Sequence, residues 1–345
     1  MKKIILLVLA LGLFFSACVT HPPTESVEQP RADSQSPSVD LPITTETVGR
    51  LTPLISLQPS ASALVCKWAQ EGTNLWVQDL FSASLYDAAT MDKLAEFKGG
   101  EYATIYDTSE DGHTVAYSLD GQEIKLFDIL AQNDRLSFSP SFPYSSVFFS
   151  LDGSILSVAS LDEIEIVQFD TSDGMEAGSL SGFTTAAPVY LAHYSADGKM
   201  LIWISRGRVQ PMDITSGKLG PSLAHEDFVV SAVMSADGNL IATASAGTLN
   251  GEFQPLVILW DAQSGEVLWQ NGNSDYFSSL DFSPDGSLLA AGSVGETIFY
   301  ETASGKEIFR LKTDNASVNS LGFSPDGRAL VTCDTDGKLT LWKVR

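Results

Sequence analysis

Cationic side chains are scarce in this 345-residue chain. Lys and Arg total 20 against 43 Asp and Glu, a formal net charge of −23. A nucleic-acid surface needs a Lys/Arg patch to neutralise phosphates, and no such patch is written here. The same deficit argues against direct adsorption to an anionic bilayer. Cysteine is also scarce. Cys18, Cys66 and Cys333 are too few for a disulfide scaffold. The four histidines, His21, His113, His193 and His225, form no His-x-x-x-His pair, and there is no Cys-x-x-Cys. No metal cluster is therefore written locally. Neither a Gly-x-Ser-x-Gly elbow nor a phosphate loop occurs. Hydrophobic residues reach 44%, which excludes global disorder.

The N-terminus reads as an address. Lys2 and Lys3 precede an uncharged apolar run, Ile4 to Phe15, too short to span a bilayer as a helix. Phe15-Ser16-Ala17-Cys18 follows. Small residues before a cysteine resemble the lipobox of bacterial lipoproteins. The resemblance implies a signal peptide over 1–17, acylation of Cys18 and a protein held by lipid. Phe15 stands where that motif more often has Leu. Residues 18–47 hold the cysteine and a Pro/Ser/Thr-rich stretch without apolar periodicity, read as a tether. Such a tether has a coil span of about 30 Å. The expected location is outside the cytoplasm, at the cell membrane or outer membrane.

From residue 48 the chain repeats. Ser-Pro-Asp-Gly occurs at Ser283–Gly286 and Ser324–Gly327. Related markers are Asp111-Gly112, Asp152-Gly153, Asp197-Gly198 and Asp237-Gly238, with Glu71-Gly72 as a degenerate copy. The intervals are 40, 41, 45, 40, 48 and 41 residues. A period of about 40–45 with strand-like segments points to a propeller. Eight residues before the markers stand Ala63, Ala103, Tyr144, Val189, Val229, Phe277 and Val318, predicted to be buried. A third strand ends in a bulky residue and usually an acid, as in Tyr86-Asp87, Phe169-Asp170 and Trp260-Asp261. Ser264-Gly265 and Ser304-Gly305 lead into a fourth strand.

These units resemble the WD-repeat β-propeller family, most clearly over Val257 to Gly265. The resemblance covers residues 48–345 and implies an all-β, seven-bladed propeller of four-stranded antiparallel blades. The family's Gly-His is nearly absent; Ala224-His225 alone stands in its place. Most repeats therefore lack the family's buried His-Ser/Thr-Asp-Trp network, and bulk packing is expected to carry stability. The chain ends after the third strand of the last repeat, while Arg50 to Leu57 is a surplus strand. That strand is predicted to complete the last blade from its outer edge, where Pro53 is tolerated.

Two acidic turns, Asp170 to Gly174 and Asp334 to Gly337, resemble half a calcium loop but lack the distal Glu. Hairpin geometry explains both. Cys66 and Cys333 fall on strands of the first and last repeats, which are neighbours in the ring, where either two thiols or a disulfide fits the pattern. No catalytic residue, metal or cofactor is assigned. In the resembled family, partners commonly dock on the face carrying the loops into each first strand. Positions flanking the buried residue place Tyr102, Tyr190, Phe228, Tyr276 and Asn319 there. The long fifth interval comes from Ala246 to Pro255, read as a projecting loop carrying Phe253. Aromatics concentrate binding energy at protein interfaces. The expected function is a lipid-anchored protein-interaction scaffold of the cell envelope. The rival is a hydrolase or lactonase with a metal or carboxylate site at the channel mouth.

Overall fold

A computed structural model describes residues 40–345 except 60–64, 162–164, 182–188, 190, 196 and 206. Apart from the opening strand, which joins the last sheet, each sheet is built of sequential antiparallel strands. The opening strand is β1 (Leu51–Leu57). The first sheet holds β2 (Val65–Ala69), β3 (Asn74–Gln78), β4 (Ser82–Asp87) and β5 (Lys93–Lys98). The second holds β6 (Thr104–Thr108), β7 (Thr114–Ser118), β8 (Ile124–Asp128) and β9 (Asn133–Phe138). The third holds β10 (Tyr144–Phe149), β11 (Ile155–Ser160), β12 (Glu165–Asp170) and β13 (Glu176–Ser181). The fourth holds β14 (Leu191–Tyr194), β15 (Met200–Ser205) and β16 (Arg208–Asp213). Its last strand is split into β17 (Lys218–Leu219) and β18 (Leu223–Ala224), both on β16. Gly220-Pro221 causes the split, since proline has no N–H for the ladder. The fifth holds β19 (Ser231–Met234), β20 (Leu240–Leu249), β21 (Glu252–Asp261) and β22 (Val267–Gly272).

The remainder is one six-stranded sheet. Its members are β23 (Ser279–Phe282), β24 (Leu288–Glu301), β25 (Glu307–Phe323), β26 (Ala329–Asp334) and β27 (Leu339–Val344), with β1 at the edge. The expectation of seven separate four-stranded blades is thus corrected. Five sheets stand as separate blades, and the last two repeats are fused. The strand β25 does this. Its first part pairs β24 (Thr297↔Leu311, Phe299↔Phe309), and its last part pairs β26 (Leu321↔Thr332, Phe323↔Leu330). The physical reason lies in the sequence between repeats. Gly99-Gly100, Pro140 and Pro143, and Gly272 break the chain at other boundaries, whereas Glu307 to Leu321 contains neither Gly nor Pro.

The strand β1 pairs β27 antiparallel, Leu51↔Val344 through Leu57↔Leu339, with an irregularity after Pro53. It lies at the sheet edge, as the missing proline donor requires. Inner strands of successive sheets touch, and β2 touches β25 and β26, so the sheets close into a propeller ring. Each junction buries an apolar cluster. At the closing junction Cys66, Leu75 and Val77 meet Val331, Cys333 and Leu341.

The markers are built alike. At Ser283–Gly286 the Ser283 hydroxyl donates to Asp285 Oδ1 (2.6 Å) and accepts from Leu288 N (2.9 Å). Asp285 Oδ1 also accepts from Ser287 N. Gly286 takes φ 69°, which glycine adopts at no steric cost. The same three bonds recur around Asp111, Asp152, Asp197, Asp237 and Asp326. The degenerate copy differs: Gln70 and Glu71 both take positive φ in a short 3-10 turn.

Candidate functional site

The residues eight before each marker are buried wherever they are described, from Tyr144 and Val189 at 8% exposure to Val318 at 0%. The preceding residues Tyr102, Phe228 and Tyr276 lie in the run-ins to β6, β19 and β23. They are exposed, at 82%, 54% and 61%. Asn319 is half-buried in β25, at the irregularity between Val318 and Ser320 where the pairing with β26 shifts. Tyr190 and Cys18 fall outside the described residues.

Phe253 is 59% exposed, but it does not sit in a loop. The stretch from Ala246 to Pro255 continues β20 and β21 into a long hairpin, with Thr248 opposite Phe253. The turn is Asn250-Gly251, both at positive φ (55° and 84°). That is the geometry whose twist matches a two-residue hairpin, and Asn-Gly is its strongest sequence signal. The expected loop is therefore corrected to a rigid hairpin.

Phe228, Phe253 and Tyr276 stand on elements tied to one another. Glu226, two residues before Phe228, accepts from Thr248 N (3.1 Å) and Thr248 Oγ1 (2.9 Å) on the hairpin. The other arm of the hairpin reaches the Tyr276 segment. Asn273 N donates to Pro255 O, and Asn273 Nδ2 donates to Asp275 O and Ser293 Oγ. Ser293 Oγ donates to Tyr276 O. Asp227 Oδ1 accepts from Phe228 N and fixes that backbone. Three exposed rings are thus presented by a braced framework with Glu226, Asp227, Glu252 and Asp275 beside them. No bond among the described residues ties Tyr102 or Asn319 into this framework.

Below the hairpin lies a buried polar network. Trp260 Nε1 donates to Thr243 Oγ1 (2.9 Å), and His225 Nε2 lies 2.9 Å from the same oxygen. The imidazole packs edge-on against the Trp260 ring at 5.1 Å. Burial pushes His225 down to about 4, so it is neutral at pH 7. The six-stranded sheet repeats half of this, with Trp342 Nε1 donating to Thr332 Oγ1 (2.9 Å). Sequence reading missed the threonines. The spacing is ten residues for Thr332–Trp342 but seventeen for Thr243–Trp260, because the hairpin intervenes.

Charged side chains also meet inside the ring. Four residues before the first, second, fourth and sixth markers stand Lys67, Asp107, His193 and Asp281. His193 feels both Asp107 and Lys67, which belong to other sheets, and burial holds its pKa below the usual value. Asp107 takes Lys67 Nζ at 2.7 Å, Thr108 N at 2.8 Å and Phe149 N of the next sheet at 2.9 Å. Asp281 takes Phe323 N at 2.7 Å, and burial pushes it up to about 7. Both carboxylates thus staple one inner strand to the next. Among the described residues no group of three His, Cys, Asp or Glu converges as a metal site. In the two acidic turns the carboxylates serve their own backbone: Asp170 takes Ser172 N, Asp173 takes Met175 N, and Asp334 takes Asp336 N and Lys338 N.

Residues 266–299 and 305–343 match the family model described as WD domain, G-beta repeat. Two curated relatives are eukaryotic. The WD repeat-containing protein SL1-17 of Schistosoma mansoni is 31% identical over 150 residues, covering 43% of this chain and 46% of that protein. The small ribosomal subunit protein RACK1y of Oryza sativa subsp. japonica is 28% identical over 144 residues, covering 39% and 41%. The crystal structure of the Myceliophteria thermophila Cps50 (Swd1) β-propeller domain superposes with a TM-score of 0.67 at 14% identity. It covers 86% of this chain and all of that one. Together these matches support a WD-repeat β-propeller. The chain spans less than half the length of the two curated relatives. The matched segments include all of β22, β23, β25 and β26 and most of β24 and β27, so they span the fused sheet apart from β1. Phe228 and Phe253 lie before the matched segments, and Tyr276 lies within the first of them.

Proposed function

We propose that this WD-repeat propeller is a non-enzymatic protein-interaction scaffold whose partner docks on Phe228, Phe253 and Tyr276. One observation carries the reading: three large exposed rings stand on elements that Glu226–Thr248 and Asn273–Pro255 lock together. Rigid aromatic anchors lose little entropy on binding and dominate interface energy. We further propose that the protein is exported and held by lipid on Cys18 at the cell membrane or outer membrane, and that its partners are envelope proteins. The Lys2–Cys18 pattern supports this part.

The test is a cross-linked pull-down from intact cells, followed by binding measurements with the recovered partner. Phe228→Ala, Phe253→Ala and Tyr276→Ala combined should weaken binding at least 30-fold, roughly 2 kcal/mol, the scale of one interface hot spot. Tyr102→Ala, outside the framework, should not. An unchanged affinity for the triple variant places docking elsewhere. Cys18→Ala should move the protein from the membrane fraction to the soluble one; an unmoved protein refutes the anchor without touching the docking reading.

A further inference from the structure

The closing junction of the ring holds two thiols whose surroundings bring them together. Cys66 lies on β2 of the first sheet, and Cys333 on β26 of the six-stranded sheet, 2% and 0% exposed. Both belong to one apolar cluster. Ser320 links them. Its Cα is the direct cross-strand partner of Cys333. Ser320 Oγ accepts from Cys66 N (3.2 Å) and donates to Cys66 O (3.0 Å), and the Cys66 thiol points at Ser320 O (3.8 Å). Side chains of directly paired strand residues share a face. Cys66 and Cys333 therefore meet on the face where the first sheet packs on the last. In the described structure both are free.

We propose that Cys66 and Cys333 form an intramolecular disulfide that covalently closes the ring. The reaction is thiol–disulfide exchange. One cysteine thiolate attacks an exchanging disulfide, such as oxidised glutathione, releasing one of its thiols. The second cysteine then attacks the mixed disulfide and releases the other. Two protons leave the protein, its two sulfurs are oxidised, and the donor is reduced to two thiols. Burial and the neighbouring Cys66 hold the Cys333 thiol well above its usual pKa, so thiolate is scarce in the closed ring. Exchange therefore runs while the junction is open, during folding, and the closed cystine is then shielded from reductant.

The full chain carrying Cys18→Ala keeps just these two thiols. It is refolded with oxidised glutathione, blocked with N-ethylmaleimide, and digested without reduction. The proposal expects a peptide pair joining Cys66 to Cys333 and no N-ethylmaleimide on either. It also expects a melting temperature above that of protein refolded in dithiothreitol. Cys66→Ala and Cys333→Ala, made separately, should each abolish the response to oxidant. Full alkylation of both thiols, or glutathione adducts without the cross-linked pair, would overturn the proposal. These readings come from the two-thiol protein alone, so a poorly folding single variant does not blunt them.

Discussion

Replacing Thr243 by Val tests how much the polar network under the hairpin stabilises this propeller. The two side chains have nearly the same shape, so no cavity opens. What disappears is one oxygen with two partners. Trp260 Nε1 donates to it at 2.9 Å, and the hydroxyl proton faces His225 Nε2 at 2.9 Å rather than Ile258 O at 3.5 Å. Thr243 is 0% exposed and Trp260 6%, so water cannot replace the lost bond to the indole. Each orphaned buried group costs about 1–3 kcal/mol. His225 is only half-buried and falls at the low end, so the sum is about 2–4 kcal/mol. That is a large share of the ~5–15 kcal/mol that holds a typical native protein together. Thr332→Val is the internal control. It orphans Trp342 Nε1 alone and should cost about 1–3 kcal/mol. Urea titration followed by tryptophan fluorescence reads both midpoints, with an unchanged slope showing that the unfolded state is unaffected. Equal losses for the two variants would refute a contribution from His225. No loss for either would show that apolar packing alone stabilises these sheets.

Acid should expose the histidine directly. Its folded pKa of about 4 lies below the ordinary value of 6.5, so protonation favours the unfolded chain. The stability present above pH 6.5 is lost as pH falls toward 4, up to about 3 kcal/mol. His225→Gln should flatten the urea midpoint across that window, and a parallel wild-type curve would contradict the reasoning. Asp281 works in the opposite sense. Its folded pKa is raised to about 7 from 3.8, so its contribution is full at low pH and is lost as pH rises through 7. Asp281→Asn should gain stability relative to wild type between pH 5 and pH 8, and a constant difference by the same titration would argue against burial as the cause. Deleting residues 48–58 strips β1 from β27 and bares a sheet edge. Aggregation by light scattering and loss of cooperative unfolding are expected; an unchanged melt would show that β1 does not close the ring.

The parts of this fold legible in the sequence are those whose chemistry is local. The Ser-x-Asp-Gly turns declare themselves because serine, aspartate and glycine each satisfy a bond or dihedral within six residues, as at Ser283 to Leu288. The burial of Val318 and Phe277 followed from aligning the repeats on their markers, and with it the exposure of Tyr276. The pairing of Leu51 with Val344 followed from counting strands. The fusion through β25 was written as the lack of a breaker between Glu307 and Leu321, a weaker signal than a present one. Asn250-Gly251 announced the hairpin that carries Phe253, but only beside a strand pairing of ten residue pairs where the other separate sheets have four to six. The staples from Asp107 to Phe149 N and from Asp281 to Phe323 N join residues 42 apart. Such bonds depend on how sheets meet around the ring, which no local pattern encodes. For the same reason the linkage of Phe228, Phe253 and Tyr276 could be placed on one side of the chain's repeats but not assembled.

The fused sheet changes where this ring can come apart. A ring of separate sheets has equivalent junctions, each held by an apolar cluster. Here β25 makes the join between the last two repeats continuous in hydrogen bonding, so that join cannot open without breaking strand pairs. The junction between the first sheet and the last has no such strand. Side chains hold it instead: Trp68 Nε1 donates to Gly322 O (2.9 Å), and Ser320 exchanges bonds with Cys66. Chain connectivity does not help, because residues 66 and 333 lie near opposite ends of the propeller. Closing a loop of that length in the unfolded chain costs more entropy than closing a short one. A cystine there removes that cost from folding, and a chain-entropy estimate already gives about 4.7 kcal/mol for a 100-residue loop. The thiol pair therefore sits at the junction where a covalent bond adds most, beside the same β26–β27 hairpin that β1 completes. If the two devices act on one opening event, deleting β1 should raise the rate at which N-ethylmaleimide reaches Cys333 in reduced protein. Unaltered labelling would show that the edge strand and the thiol junction open independently.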